Sequence, residues 1–314
     1  MRTHIVTISD KNHLGRMIAL RQSLTVHAPD SHIYYLCLDD LGYQTAKKLN
    51  IPETTILRPE DLNDKELLAS RSTRTNPEFA STCKPAFLLF TMKSGIVRSD
   101  DLLVFVDPDF YFYKSAQPLF EKVYSLGSIT ITPHRFPPNR ENEQCKKGIY
   151  NAGIMFFKND DSALQCLEEW RKQCIDWCYL RYENGKIGDQ GYLSDWPRKY
   201  KGVYELRDKG VNLSTWNINN YKITKNKDGG FFVDNEPLIC FHFHGLKLYF
   251  DRKGCLRAYP ITIFHKEIYR LCLEELERAY DKIQTIDSSW RFGTLSQLNL
   301  FRIIKQTVSS YFPR

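Results

Sequence analysis

The chain has 314 residues, 42% of them hydrophobic and 26% charged, with a formal net charge of +7. That places it among ordinary soluble globular proteins, large enough for one α/β domain with an extension or for two modest domains. The charge is too sparse for a dedicated nucleic-acid binder and suits an anionic small ligand, such as a nucleotide diphosphate, or an anionic membrane surface. No run approaches the roughly 18 uninterrupted apolar residues of a membrane span. The opening "MRTHIVTISDKNHLG" has no apolar core of a secretory signal, so a cytoplasmic location is expected. Nine scattered cysteines without a CxxC pair point to reduced, mostly buried thiols.

In chain order, "HIVTIS" from His4 reads as a short strand, "DKNHLG" as a polar loop, "RMIALRQSLTVH" as a helix and "HIYYLCLDD" as an apolar strand ending in acids. That succession opens a βαβ unit with a parallel sheet. "ETTILRPEDL" offers a further short strand. After the polar, basic "NDKELLASRSTRTNPEFAS", "CKPAFLLFTMKSG" reads as a helix and "LLVFV", from Leu102, as a buried strand. "SITITPHRFP" is a strand that stops at prolines, and "GIYNAGIMFFKND" is strand-like. In "DSALQCLEEWRKQCIDWCYL", Ala163, Leu167, Trp170, Cys174 and Trp177 recur at helical spacing, and Asp161 or Ser162 can cap the start. "GVYELRDKGVNLSTWNINN" is irregular, "NKDGGFFVDNEPLICFHFHG" reads as turn, strand, turn and strand, and "HKEIYRLCLEELERAYDKIQ" is a helix. The tail from Trp290 contains no acidic residue, and Leu298, Phe301, Ile304 and Val308 can form one apolar stripe beside Arg302 and Lys305.

Three stretches carry chemistry. In "VDPDF", Asp107 and Asp109 are two apart and point the same way in extended backbone, with Pro108 stiffening the turn. They end an apolar strand, where open α/β sheets bind ligands. Either they share a hard cation such as Mg²⁺ or Mn²⁺ that itself holds a diphosphate, or they are solvated turn residues. In "FHFHGLK", alternation puts His242 and His244 on one face. Imidazole suits Mn²⁺, Gly245 admits a phosphate close to the backbone and Lys247 offers it a charge; the plainer reading is two histidines on a solvated strand. In "YNAGIMFF" and "GDQG", the Asn151 amide fits sugar hydroxyls, Gly153 leaves room for a ligand, and Asp189 is either a helix N-cap or a group that holds sugar hydroxyls or acts as a base, next to Gln190.

The ordered set "FVDPD", "YNAGIMFF", "GDQGYL", "GVNLSTWN" and "PLICFHFHG" resembles the nucleotide-diphospho-sugar glycosyltransferases of the GT-A fold, most of all the bacterial enzymes related to family 8. The resemblance spans roughly the first 250 residues. It implies a Rossmann-like, mixed but mainly parallel sheet flanked by helices. The catalytic domain would occupy 1–255, with a nucleotide-binding half at about 1–113 and an acceptor-side half at about 114–255, and a helical extension with a basic amphipathic tail would follow at 256–314. By the same resemblance, Asp107, Asp109 and His242 would hold Mn²⁺ or Mg²⁺. Thr7, Ser9, Lys84, Asp107, Asn151, Gly153, Gly245 and Lys247 would lie on the donor, and Asp189 and Gln190 at the reaction centre. His134, Asn212, Trp216 and His244 would lie on the acceptor or sugar side. Lys247 comes one residue earlier than in family 8 and no Pro-Trp follows it, which leaves both its role and the choice between His242 and His244 open.

The implied reaction is transfer of a sugar from a UDP-sugar or similar donor to a glycan or lipid-linked acceptor, in lipopolysaccharide or capsule synthesis. The resemblance implies retention of configuration; if the enzyme inverts, Asp189 is the base. A sugar-nucleotide-binding protein without activity is the second reading. A nucleotidyltransferase fits poorly, since it would carry a Gly-rich, Lys/Arg-bearing phosphate loop after the first strand and "SDKNHLGR" has one Gly and one Arg there. The tail either lies on an anionic membrane, giving peripheral attachment, or packs on the catalytic domain.

Overall fold

The computed structural model describes residues 1–251, 253–259 and 266–295. In chain order the strands are β1 Thr3–Ser9, β2 Ser31–Cys37, β3 Thr54–Leu57, β4 Leu102–Val106, β5 Phe110–Phe112, β6 Ile129–Pro133, β7 Tyr150–Lys158, β8 Val203–Glu205, β9 Leu213–Ser214, β10 Ile223–Lys225, β11 Phe231–Val233, β12 Glu236–Pro237, β13 Cys240–His242, β14 Lys247–Phe250, β15 Leu256–Tyr259 and β16 Thr294–Leu295. A seven-stranded sheet in the order β3-β2-β1-β4-β7-β6-β8 forms the centre. Strands β3, β2, β1 and β4 run parallel, and β7 is antiparallel to both β4 and β6. This is the mixed, mainly parallel α/β sheet that the sequence implies.

The chain steps outward from β1 to β3, then returns to lay β4 on the other side of β1. The order therefore reverses between β1 and β4, and the crevice beyond their carboxyl ends is where such sheets bind ligands. Every residue of β4 is buried, as expected of a central strand covered on both faces.

Helices cover the sheet. The helix expected at "CKPAFLLF" begins earlier, at Asn76, and runs to Lys93. Thr75 and Glu78 form a reciprocal cap and Pro77 fills the first turn, so the polar "NPEFAS" is helix. "KELLAS" also forms a short helix, Lys65–Ser70, capped by Asp64. The helix Asp161–Asp176 is capped by Asp160, whose carboxylate accepts from the N–H of Ala163, and not by Asp161 or Ser162. Ala163, Leu167, Trp170 and Cys174 are buried as expected, while Trp177 lies past the helix end and only half-buried.

Beyond the main sheet, β10, β11 and β12 form an antiparallel meander. β14 pairs with β15 and β16, so the boundary expected near 255 falls inside a hairpin. The following helix, Lys266–Ile286, packs on the helix Leu14–His27: a Cβ on Gly15 would fall 2.7 Å from the Tyr280 ring. The stripe Leu298–Val308 lies outside the described residues. Among those described, no helix is long and apolar enough to cross a membrane. No cysteine is in a disulfide, and seven of the nine are buried.

One polar cluster, at the amino ends of β1 and β4, escaped the sequence reading. Burial alone would raise the Asp101 carboxyl, but the N–H groups of Arg2 (2.8 Å) and Arg98 (3.2 Å), with His4 at 3.3 Å, bring it down to about 2. Its folded value lies below the unfolded one, so its stabilisation is present above about pH 4 and is lost as pH falls toward 2. Asp101→Asn should cost roughly 2 kcal/mol at pH 7 and only a small fraction of that near pH 2. Urea unfolding at both pH values checks this.

Candidate active site at the β1/β4 crevice

The site is assembled by β4, β5, β7 and β13. After Val106 the chain turns at Asp107-Pro108-Asp109, with Phe110 N–H donating to Asp107 O at 3.2 Å. β13 pairs antiparallel with β5, placing His242 opposite Phe110, and parallel with β9, placing His242 opposite Ser214. Phe243 N–H donates to Asp109 O at 2.8 Å. These backbone bonds set the register that brings His242 Nε2 to 3.2 Å from Asp109 Oδ1 and 3.9 Å from Asp107 Oδ2. The imidazole stacks on Phe110, with ring centres 4.3 Å apart.

Asp109, His242 and His244 each offer a ligand atom, all within 4.8 Å of one another. His242 is buried and His244 exposed, so His242 is not on a solvated strand face. Burial and the neighbouring Asp109 and Asp189 charges push Asp107 up to about 6, against the pull of Lys84 and His242. Burial would raise Asp109 too, but the charge and hydrogen bond of His242 hold it well below the usual carboxylate range. Two carboxylates so close resist ionising together unless a cation lies between them. Carboxylate oxygens with one imidazole make a donor set that fits Mn²⁺, and with more water Mg²⁺.

Lys84 enters from the helix Asn76–Lys93 and is buried. Its Nζ donates to Ala152 O at 2.9 Å and lies 2.7 Å from Asp189 Oδ2, 3.5 Å from Asp107 Oδ1 and 4.4 Å from the centre of the Phe105 ring. Burial would lower the Lys84 ammonium, but the Asp107 and Asp189 charges outweigh it and raise it. Asp189 precedes a 3₁₀ turn, Gln190–Asp195, yet its side chain makes no cap hydrogen bond. It faces Lys84 as an ion pair, without the alignment of a hydrogen bond.

These groups line a cleft of about 250 Å³ that takes in Ile8, Lys84, Phe105, Asp107, Asn151, Gly153, Asp189, Gln190, His242 and His244. Several expected contacts stand elsewhere. Ile8, not Thr7 or Ser9, lines the cleft, because alternation along β1 turns those two to the other face. There the Ser9 hydroxyl meets the Tyr35 hydroxyl at 3.0 Å, and Thr7 Oγ1 is buried without a partner. Gly245 has φ +78° at the exposed rim and Lys247 is exposed on β14; neither lines the cleft.

The polar residues expected on the sugar side sit mostly behind the site. Trp216 Nε1–H donates to His134 O at 2.8 Å, and its ring abuts His242 edge-on. His134 stacks on Phe136 and its Nδ1 lies 3.0 Å from Gly148 O; burial pushes its imidazole down to about 3. Asn212 is fully buried, with Oδ1 3.3 Å from His242 Nδ1. Asn151 Oδ1 accepts from Gly153 N–H at 3.0 Å, and its Nδ2 donates to Gln190 Oε1 at 3.4 Å. Asn217 and Thr132, which the sequence reading passed over, complete this layer. Asn217 Nδ2 donates to His134 O at 2.9 Å and Thr132 Oγ1 accepts from Asn212 Nδ2 at 2.9 Å. The polar run "NLSTWN" inside a buried loop is the signal that could have found Asn217.

The space beside Gly153 is filled by protein. A Cβ there would fall 2.6 Å from Asn151 Oδ1 and 2.7 Å from His242 Cε1. Gly153→Ala should destabilise the fold by about 1–3 kcal/mol, the range for overpacking a filled interior; denaturant unfolding reads it directly.

The fold is that of the GT-A glycosyltransferases. An active-site mutant of LgtC superposes with a TM-score of 0.55 at 15% identity, covering 92% of this chain and 99% of that one. The galactosyltransferase LgtC, solved with donor and acceptor sugar analogues, gives 0.52 at 15% identity, covering 94% and 98%. The bifunctional glycosyltransferase WbbM gives 0.53 at 12% identity, covering 90% of this chain and 51% of that one. In sequence the chain is 32% identical over 291 residues to the uncharacterized protein YfnD of Bacillus subtilis (strain 168), covering 90% of this chain and 91% of YfnD. It is 31% identical over 260 residues to the uncharacterized YfnF of the same organism, covering 79% and 83%. The chain belongs to the family of YfnD and YfnF. No family model matches it.

Proposed function

We propose that the protein is a metal-dependent glycosyltransferase that moves a sugar from a nucleotide-diphosphate sugar, a UDP-sugar by resemblance, to a glycan or lipid-linked acceptor in surface-polysaccharide synthesis. The observation that carries this reading is the approach of His242 Nε2 to Asp109 (3.2 Å) and Asp107 (3.9 Å) at the switch point of the sheet. Asp107, Asp109 and His242 would hold Mn²⁺ or Mg²⁺, with His244 within reach. When bound, such an ion supplies positive charge to the departing diphosphate.

The chain's own residues do the rest. Lys84 holds Asp189 in place and keeps a positive charge at the floor of the cleft. Gln190, its Nε2 donating to Lys147 O at 2.8 Å, is fixed at the cleft wall beside Asn151. Asp189 faces the cleft with one oxygen engaged by an ammonium. A carboxylate so tied suits stabilising positive charge on the anomeric carbon better than taking a proton from an acceptor. This favours retention over inversion.

The test is a panel of sugar nucleotides with Mn²⁺ or Mg²⁺, read by thermal shift and donor hydrolysis. One UDP-sugar should raise the melting temperature only with metal and be hydrolysed; at 100 times its Kd a ligand adds about 2.7 kcal/mol. Binding without hydrolysis or transfer would favour the inactive binding protein, and binding by no sugar nucleotide would overturn both readings.

A further inference from the structure

The two ring nitrogens of His242 face different oxygens. Nε2 looks to Asp109 Oδ1 and Nδ1 to Asn212 Oδ1, 3.3 Å away. The oxygen and nitrogen of an amide are told apart by their partners, and here the partners lead back to backbone groups of fixed sense. Gly153 N–H donates to Asn151 Oδ1 at 3.0 Å, so that atom is the oxygen. Asn212 therefore turns Nδ2 toward it, at 3.2 Å, and toward Thr132 Oγ1, at 2.9 Å; the Thr132 hydroxyl donates onward to Ile154 O at 3.4 Å. On the other side, Gly148 O calls for the proton on His134 Nδ1, so His134 Nε2 accepts from Asn151 Nδ2 at 3.4 Å. Each link has one direction, and the atom left facing His242 is the Asn212 oxygen. An oxygen there requires the proton on Nδ1.

We infer that Asn212 is a positioning residue that keeps the proton on Nδ1 of His242 and so directs the Nε2 lone pair at the Asp107–Asp109 metal position. The consequence for metal binding rests on the function proposed above; the orientation of the ring does not. The backbone fits the role: Asn212 has φ +55° in the left-handed region, where Asn and Asp are tolerated best after Gly. Its carbonyl is held by Asn217 Nδ2 at 3.3 Å and Arg135 Nη2 at 3.1 Å. A ligand imidazole whose other nitrogen is so anchored has a fixed tautomer and ring plane.

Two readouts test this on the whole 314-residue chain. In long-range ¹H–¹⁵N spectra of the metal-free protein, with His242 assigned by comparison with His242→Gln, Nδ1 should carry a proton whether or not Nε2 also donates to Asp109; an unprotonated, pyridine-type Nδ1 overturns the inference and needs no folding of an Asn212 variant. Mn²⁺ binding without nucleotide, counted by electron paramagnetic resonance of the free ion, separates the roles. Asn212→Gly keeps the left-handed backbone and removes the acceptor, and should weaken binding about 10- to 100-fold. Asn212→Asp keeps an acceptor for Nδ1–H and should stay within about threefold of the parent or exceed it. Equal loss in both, or no loss in Asn212→Gly, contradicts the role. Failure of the parent protein to bind Mn²⁺ overturns the metal consequence, and the Nδ1 resonance then decides the orientation alone.

Discussion

Asp109→Ala should lower metal-dependent turnover of the donor on the order of 10³-fold, as expected when several kcal/mol of charge stabilisation are lost at the leaving group. Asp109 is the carboxylate nearest His242, at 3.2 Å, and it is held ionised there. Alanine leaves His242 and Asp107 without that charge. Asp109→Asn fills the same space and can still meet His242, so it separates loss of charge from loss of packing. Both variants should lose turnover alike, read as donor hydrolysis at saturating Mn²⁺. Turnover in either variant within tenfold of the parent would remove Asp109 from the metal set.

Lys84→Met should be the most destabilising single change at the site. It removes the ammonium that lies 2.7 Å from Asp189 and 3.5 Å from Asp107, leaving Asp189 without its ion-pair partner and Asp107 with only His242 to offset it. Breaking a buried pair from one side costs about 3–5 kcal/mol. The double variant Lys84→Met, Asp189→Asn should recover about 1–3 kcal/mol of that, a coupling expected of groups in contact. Urea unfolding of the parent, both single variants and the double variant gives the cycle. A cost under about 1 kcal/mol for Lys84→Met would mean that solvent already screens the pair.

Parts of this were legible in the sequence because they are local. The uninterrupted "LLVFV" running into Asp-Pro-Asp marks a central strand, and β4 is central and buried throughout. Alternation in "CFHFH" put Phe241 and Phe243 in the core and both histidines on the other face. What was not legible depends on distant pairings or on backbone conformation. The Lys84–Asp189 ion pair links a helix to a loop far along the chain, so Asp189 taken locally looks like a cap. The left-handed backbone of Asn212 and its amide contacts with Asn151 and Thr132 leave no trace in spacing, so it reads as a ligand contact although it stands behind His242. The resemblance puts Thr7 and Ser9 on the donor, but alternation along β1 gives the cleft edge to Ile8.

Asp107, Asp109 and His242 are proposed to share one cation with the diphosphate of a nucleotide donor. Anomalous diffraction from crystals soaked with Mn²⁺ and UDP measures it most directly. A single manganese peak within bonding distance of Asp109, His242 and diphosphate oxygens, with Asp107 beside it, is the predicted result. Nucleotide in the cleft with no manganese between these side chains, or manganese bound only elsewhere, would contradict it.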